Sequence, residues 1–425
     1  MLDPKRIRGE TERVRWAIQV KRTDADLDGW IARDERRREL LVRVETLKHR
    51  RNEASEEIGR RKKKGEDASA AIAEMKRVGD EIKSLDAEIA TLESEMEAIQ
   101  RWIPNVPHES APKADDATGN VVVRTVGTIR TLDFKPKSHW ELAESLGLLD
   151  FERAGKIAGS GFLLFTGRGA RLERALINFM LDLHTREHGY TEVSPPHLVR
   201  RECLFGTGQL PKLEGDMYLL PEDDLFLNPT AEVPVTNIYR EEILEGDRLP
   251  IYLTSYCASY RREAGSYGRD TRGMIRVHQF DKVEIVKIVP PETSYDEHER
   301  LLADAEDVLR RLELPYRVVL LAAGDMSFAA AKCYDLETWA PGEGRWLEVS
   351  SCSNFEDFQA RRAGIRFRLK AGGKVDYVHT LNASGLALPR TFATLIEYHQ
   401  TAEGTVRIPD ALVPYFDGVR ELKPV

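Results

Sequence analysis

The sequence predicts an α+β protein in two parts. An N-terminal antiparallel helical coiled-coil arm comes first, and a larger domain built on a mainly antiparallel sheet flanked by helices follows. Three observations carry this. Met75, Val78, Ile82, Leu85, Ile89, Leu92, Met96 and Ile99 alternate spacings of three and four, the seam of a coiled coil. Beyond Gly119 the pattern changes to short β-rich runs mixed with amphipathic helical stretches, with no βαβ alternation. Between Ile251 and Glu284 two strand-like runs flank a loop far longer than the two to five residues usual in hairpins.

The arm needs a second helix for its seam, and Leu40, Val44, Leu47, Ala54 and Ile58 supply one, with Arg51 at an imperfect position. Lys62, Lys63, Lys64, Gly65, Glu66 and Asp67 form a polar tip where Gly65 turns the chain. About 33 residues at a rise of 1.5 Å make an arm of roughly 50 Å. Residues 33–64 hold 13 Lys and Arg against 7 acids, whereas residues 66–101 hold 4 against 10. The two helices either neutralise each other or present a basic edge and tip, Arg60 to Lys64, to a phosphate backbone. Pro104, Pro107 and Pro112 end the coiled coil, so the expected division is 1–103 for the arm domain, 104–118 for a Pro-rich linker and 119–425 for the second domain. Within the latter, helices are expected over 169–188, stopped by Gly189, and over 295–312.

Composition narrows the function. At 425 residues, with 41% hydrophobic and 32% charged residues, the chain has ample core for two or three soluble domains. No run approaches the roughly 18 apolar residues of a membrane span, so no membrane partner is expected. The N-terminus has no apolar or Arg/Ser-rich leader, which favours a cytoplasmic location. Cys203, Cys257, Cys333 and Cys352 lack C-x-x-C or His spacing and read as reduced thiols, with no zinc site. A net charge of −8 excludes a uniformly basic nucleic-acid binder. The Gly-rich phosphate cradles G-x-x-x-x-G-K-[ST] and G-x-G-x-x-G are absent, so a nucleotide would have to be held by side chains on the sheet.

Such side chains cluster in the 251–284 segment. Strand alternation puts Arg261 and Glu263 on one face of the first run; Phe280, Lys282 and Glu284 share a face of the second. A cation, an acid and a flat ring suit phosphate, adenine edge and adenine face, although a charged surface hairpin with one core Phe fits the spacing equally well. Three further segments bear on the choice. Thr230, Ala231 and Glu232 place a hydroxyl and a carboxylate two residues apart. Glu348, Val349, Ser350 and Ser351 offer oxygen ligands suited to Mg²⁺. Asn382, Ser384 and Gly385 lead to Pro389 and Arg390 at an apolar helix, whose first turn tolerates the proline.

Together and in this order, these segments resemble the class II aminoacyl-tRNA synthetases, and specifically the seryl-tRNA synthetase family. The resemblance covers nearly the whole chain: helical arm, Pro-rich linker and three class-defining motifs. Helix 169–188 with Tyr190 to Pro196 resembles motif 1, the family's dimer interface; Arg261 through Glu284 resembles motif 2; Gly385 to Arg390 resembles motif 3. The run from Gly265 to Gly273, followed by His278, Gln279 and Phe280, is specific to the seryl branch. Two positions depart from the usual pattern, Tyr260 for Phe and Pro389 for a small residue, and neither removes a reacting group.

The resemblance implies roles. Arg261, Glu263 and Arg390 would be the catalytic residues: Arg261 on the α-phosphate and the serine carboxylate, Glu263 on the adenine amino edge, Arg390 on the γ-phosphate of a bent ATP. Arg262, Val277, Phe280, Val349 and Ser350 would complete the ATP site, with Glu348 and Ser351 holding Mg²⁺. Thr230, Ala231, Glu232, Arg261, Glu284, Asn382 and Ser384 would bind L-serine. The implied protein is a homodimer that charges tRNA(Ser), and tRNA(Sec) too, its arm contacting the long variable arm of the tRNA, and the 264–275 loop meeting the acceptor end. Two alternatives are a class II-like protein charging a non-tRNA acceptor, whose relatives lack the long arm, and a non-catalytic relative, which would lack Arg261, Glu263 or Arg390.

Overall fold

The computed structural model describes residues 1–264, 273–369 and 372–425, which divide into two compact units, 2–104 and 105–425 with Met1. The first unit holds two long helices, α1 (Leu27–Lys64) and α2 (Ser69–Gln100). Asp26 caps α1 through the Gly29 N–H, and Gly65, at φ 74°, ends it in the left-handed conformation that glycine adopts at least cost. The expected seam is buried: Val78, Ile82, Leu85 and Ile89 pack on Leu40 and Val44, with Leu47, Met75 and Leu92 partly covered, and Met96 is buried as well. Ala54 and Ile58 are only half-buried, so the packing thins toward the tip.

The opposite charges of the two helices largely cancel within the hairpin. Arg33, Arg36, Arg37, Arg43, Lys48 and Arg50 of α1 pair with Glu95, Glu88, Glu93, Glu81, Asp86 and Glu74 of α2. Neutralisation therefore holds along the shaft, and the continuous basic edge is lost. At the tip Arg60 and Arg61 share Glu57, while Lys62, Lys63 and Lys64 make no ion pair among the described residues.

In the second unit, β1 (Val121–Val126), β2 (Thr191–Glu192), β3 (Ile251–Tyr260), β4 (Gln279–Val289), β5 (Tyr316–Leu320), β6 (Lys332–Ala340), β7 (Arg345–Asn354) and β8 (His379–Ala387) form one sheet in the order β1-β5-β6-β7-β8-β4-β3-β2. Every pairing is antiparallel except β2 with β3. Helices α3 (His139–Ser145), α4 (Gly167–Arg186), α5 (Ser294–Arg311) and α6 (Leu388–Tyr398) pack around the sheet. The amphipathic stripes read from sequence are the ones buried, including Leu172, Leu176, Phe179, Met180 and Leu183 of α4 and Leu301, Leu302, Ala305, Val308 and Leu309 of α5. Pro389 stands in the first turn of α6, where its missing N–H goes unneeded.

The Pro-rich segment is anchored where it begins: the Asn105 side-chain amide donates to the carbonyls of Ala329 and Phe355 at 2.9 and 2.8 Å, and Val106 is fully buried. An amide beside an apolar residue can seal a segment to a core that offers spare carbonyls. One expectation fails in detail: β3 does not carry Arg261 and Glu263 by alternation, because it stops at Tyr260, and Glu263 has φ 51°. The loop running through residues 265–272, including Arg269 and Arg272, lies outside the described residues.

Two bulges re-aim the sheet. Between β6 and β7 the register shifts at Val349, because Leu336 faces Ser350 while Glu337 faces Glu348. Between β8 and β4 it shifts at Gly385, flanked by Ser384 opposite Glu284 and Leu386 opposite Val283. An extra residue exchanges the faces of everything beyond it. Gly385 also leaves room for His184 of α4, whose Nε2 lies 3.2 Å from the Gly385 carbonyl; a Cβ there would stand 2.5 Å from that nitrogen.

Candidate active site

A cavity of about 710 Å³ opens over β4, β7 and β8. β4 sends Phe280, Lys282 and Glu284 into it by strand alternation. From β7 come Glu348, Val349 and Ser351; residues 348 and 351 would lie on opposite faces of a regular strand, and the bulge at Val349 brings them to one side. β8 contributes Asn382 and Ser384, and α6 contributes Pro389 and Arg390. Arg261 and Glu263 enter from the segment after β3, which is tied to the sheet where the Arg261 N–H donates to the His278 carbonyl at 2.9 Å.

One end of the cavity is a hydroxyl and carboxylate cluster. Thr230 Oγ1 donates to Glu284 at 3.1 Å and accepts from Lys282 Nζ at 2.7 Å and from the Glu232 N–H at 3.2 Å. Asn382 donates its amide to Glu284 at 3.1 Å, and Lys282 forms an ion pair with the same carboxylate. Burial raises the Glu284 carboxyl above its ordinary range, and Lys282 works against the rise. Among the described residues Glu232 has one side-chain hydrogen-bond partner, the neutral Gln359 amide at 2.6 Å. Burial first, then the charge of Glu284, pushes it up to about 7.

The other end is rich in guanidinium groups. The Arg261 guanidinium lies over the Phe280 ring at 5.1 Å and donates to the Pro229 carbonyl at 3.2 Å; burial lowers its pKa from the ordinary value. Arg276 binds Glu263 at 2.6 Å. Arg390 donates to the carbonyls of Ile275 and Glu348 at 3.1 and 2.9 Å and lies 3.4 Å from the Glu348 carboxylate. This arrangement suits a polyanion with an aromatic appendage.

Residues 1–107 match the family model described as the seryl-tRNA synthetase N-terminal domain, and residues 218–399 match the class II core domain shared by synthetases for G, H, P, S and T. The sequence is 56% identical, over 98% of both chains, to the serine–tRNA ligase of Thermoanaerobacter pseudethanolicus. The chain belongs to the seryl-tRNA synthetase family. Among solved structures, that of the seryl-tRNA synthetase from Pyrococcus horikoshii complexed with ATP is similar over 100% of both chains, with a TM-score of 0.94 and 38% identity. The cytoplasmic serine–tRNA ligase from Naegleria fowleri in complex with AMP follows at a TM-score of 0.87 and 28% identity, covering 97% of this chain and 95% of that one. The family's enzymes are aminoacyl-tRNA synthetases of the ligase type, and the fold above, a helical arm domain with an antiparallel catalytic sheet, is theirs.

Three residues carried over by resemblance do not line the cavity. Arg262 turns away, its Nε donating to the Met217 carbonyl at 2.9 Å and its guanidinium lying 4.7 Å from the Tyr218 ring centre. It fastens the segment after β3 to residues 216–218, and the end of the strand at Tyr260 is what frees it to do so. Ser350 lies on the far side of the bulge and donates to the Ser384 carbonyl at 2.6 Å. Ala231 is packed with Val235, Leu253, Cys257 and Val286. Thr230, Glu232, Arg261, Glu263, Val277, Phe280, Glu284, Glu348, Val349, Ser351, Asn382, Ser384 and Arg390 all line the cavity.

Sequence reasoning missed Arg276, Gln359 and the cavity role of Lys282. The alternation of β4 pointed to Lys282; nothing local marks Gln359, which comes from elsewhere in the chain. For a divalent cation, the Glu348 carboxylate and Ser351 hydroxyl are hard oxygen donors. Asp335 stands opposite Ser351 in the register, its carboxyl held well above its usual range by burial and then by Glu348. Two mutually repelling acids beside a hydroxyl fit Mg²⁺. Among the described residues no helix is long and apolar enough to cross a membrane.

Proposed function

We propose that the protein activates L-serine with ATP to give seryl-adenylate and pyrophosphate, then transfers the seryl group to the 3′-terminal ribose of tRNA(Ser), and also of tRNA(Sec). The names of the relatives support the serine and tRNA parts of this reading, and the complex of the Pyrococcus horikoshii structure supports ATP. One observation in this chain carries it furthest. Glu263, Glu284 and Glu348 each have a cationic partner in the cavity, namely Arg276, Lys282 and Arg390. That leaves Glu232 as a buried carboxylate and Arg261 as a guanidinium without an ion-pair partner among the described residues. A zwitterionic α-amino acid completes both, its ammonium on Glu232 and its carboxylate on Arg261.

The chemistry needs no protein nucleophile. A serine carboxylate oxygen attacks the α-phosphorus of ATP, the bond to the β-phosphate oxygen breaks, and pyrophosphate leaves. Arg261, close to both reactants, stabilises the charge that builds on the α-phosphoryl oxygens. Arg390 holds the γ-phosphate so that the triphosphate bends back, Phe280 and Val277 flank the adenine, and Glu263 accepts from its amino group. Glu348 and Ser351 would hold Mg²⁺, which when bound neutralises phosphate charge. In the second step the tRNA ribose hydroxyl attacks the acyl carbon and AMP departs. Thr230 and Glu284, with Asn382 and Ser384, read the serine hydroxyl; alanine would leave these buried groups unpaired, a strong basis for rejection.

The arm domain, residues 1–103, is proposed as the tRNA-binding domain and residues 119–425 as the catalytic domain. The motif 1 helix α4 is proposed as the dimer interface. The decisive assay is serine-dependent exchange between pyrophosphate and ATP: no exchange with serine, or faster exchange with threonine or alanine, would overturn the assignment.

A further inference from the structure

Behind the ATP end of the cavity lies a buried pair with no part in the proposed chemistry. His139, at the start of α3, and Glu397, near the end of α6, are both fully buried. Glu397 accepts from the His139 backbone N–H at 2.7 Å, from His139 Nδ1 at 2.9 Å, and from the N–H groups of Gly342 and Glu343 at 2.8 and 3.2 Å. The other ring nitrogen, Nε2, accepts from the Met274 N–H at 3.1 Å. That donor fixes the proton on Nδ1. With Glu343 near by at 3.9 Å the cluster has the donor types of a metal site. Its inward-facing atoms are already spent on N–H groups, however, so no cation fits.

What the pair joins gives it a role. Met274 belongs to the return of the motif 2 loop; the next residue, Ile275, gives its carbonyl to Arg390 Nε, and Arg276 and Val277 then reach Glu263 and the cavity. Gly342 and Glu343 form the turn that feeds β7, which carries Glu348 and Ser351. Glu397 lies two turns beyond Arg390 on the same helix. One carboxylate and one imidazole thus lock together three of the elements that present groups to ATP. From the proposed serine activation, on which this rests, we infer that His139 and Glu397 are positioning residues for ATP, acting through the bond from Met274 and leaving the serine end untouched.

Two amides separate the ring's contacts. In His139→Asn the amide nitrogen takes the place of Nδ1 and keeps Glu397, but the Met274 N–H loses its acceptor. In His139→Gln the amide oxygen takes the place of Nε2 and keeps Met274. In pyrophosphate exchange by the full-length protein, the Asn variant should raise the KM for ATP about tenfold, with kcat and the KM for serine within about twofold. The Gln variant should stay within about threefold of the parent in all three. An unchanged ATP KM in the Asn variant, equal loss in all parameters, or a Gln variant no better than Asn would overturn the inference. If the Asn variant does not fold, Gly273→Ala decides, because its Cβ would stand 2.1 Å from His139 Nε2 and displace the ring from outside the core. An ATP KM within about twofold in that variant would equally overturn it. Absence of serine-dependent exchange in the parent protein would instead sink the proposed function and leave the contacts of His139 standing.

Discussion

Glu232 offers a quantitative test of the amino-acid end. Its carboxyl is pushed from an ordinary 4.5 up to about 7, mainly by burial and then by the Glu284 charge. Ionising it among these protein groups therefore costs about 3 kcal/mol. The sign follows from the raised value: the neutral carboxyl favours the folded state below about pH 4.5, and this contribution is lost as pH rises through about 7. A serine ammonium reverses the preference, because only the carboxylate attracts it. Serine binding should then release a proton near neutrality, and its KM should fall about tenfold from pH 6 to pH 8 as the ionised fraction grows from about one-tenth to nine-tenths.

The perturbation is Glu232→Gln, which keeps an acceptor for Gln359 and removes the titration. The variant should raise the serine KM about 10–100-fold at pH 8 and abolish its slope with pH. It should also be more stable than the parent by up to about 3 kcal/mol at pH 8, and by less than about 1 kcal/mol at pH 5. Exchange kinetics at pH 6, 7 and 8 and denaturant unfolding at pH 5 and 8 read both effects. A serine KM independent of pH in the parent, or a slope that survives in the Gln variant, would refute the assignment of Glu232 to the ammonium.

Other outcomes follow from the same contacts. Arg261→Ala should lose exchange outright, since it removes the guanidinium proposed to be shared by carboxylate and α-phosphate; retained activity would mean that motif 2 has been misread. Deleting residues 33–101 should leave exchange intact and abolish serine transfer to tRNA, and equal transfer by the truncated protein would overturn the role of the arm. Replacing Lys62, Lys63 and Lys64 by Ala should weaken tRNA binding and reduce the slope of log affinity against log salt by about 3 if each lysine meets a phosphate, with exchange unchanged. Reversing a shaft pair such as Arg37 with Glu93 should shift stability by less than about 1 kcal/mol, measured by thermal melting, because both partners are solvated.

Much of the fold was written in periodicity. The seam from Met75 to Ile99, the stripes of α4 and α5, the Gly65 turn and the place of Pro389 each rest on local rules that tertiary contacts did not override. The failures share a different origin. Strand alternation assumes regular pairing, and the bulges at Val349 and Gly385 break it, so Ser350 points away while Glu348 and Ser351 converge. The end of β3 at Tyr260 is a tertiary fact, and with it goes the face assigned to Arg262. Gln359 and His139 act across 127 and 135 residues of sequence, through partners that no local pattern names. Charge counts suggested a basic edge on the arm because composition cannot say which residues face one another.

The two carboxylates proposed for the serine end were indistinguishable in sequence, and the structure separates them. Glu284 is held by Lys282, Thr230 and Asn382, three donors that share its charge. Glu232 has a neutral amide instead, although burial raises the pKa of both acids. An arriving ammonium gains most where negative charge lacks a counterion, so the Coulombic part of binding directs it to Glu232. The hydroxyl gains little from charge and much from a preset array of donors and acceptors, and the Thr230, Glu284 and Asn382 cluster is such an array. Lys282 is thus what makes the two acids unequal. Without it both carboxylates would compete for the ammonium and for each other's proton, and the side chain of the amino acid would have no fixed place to be read.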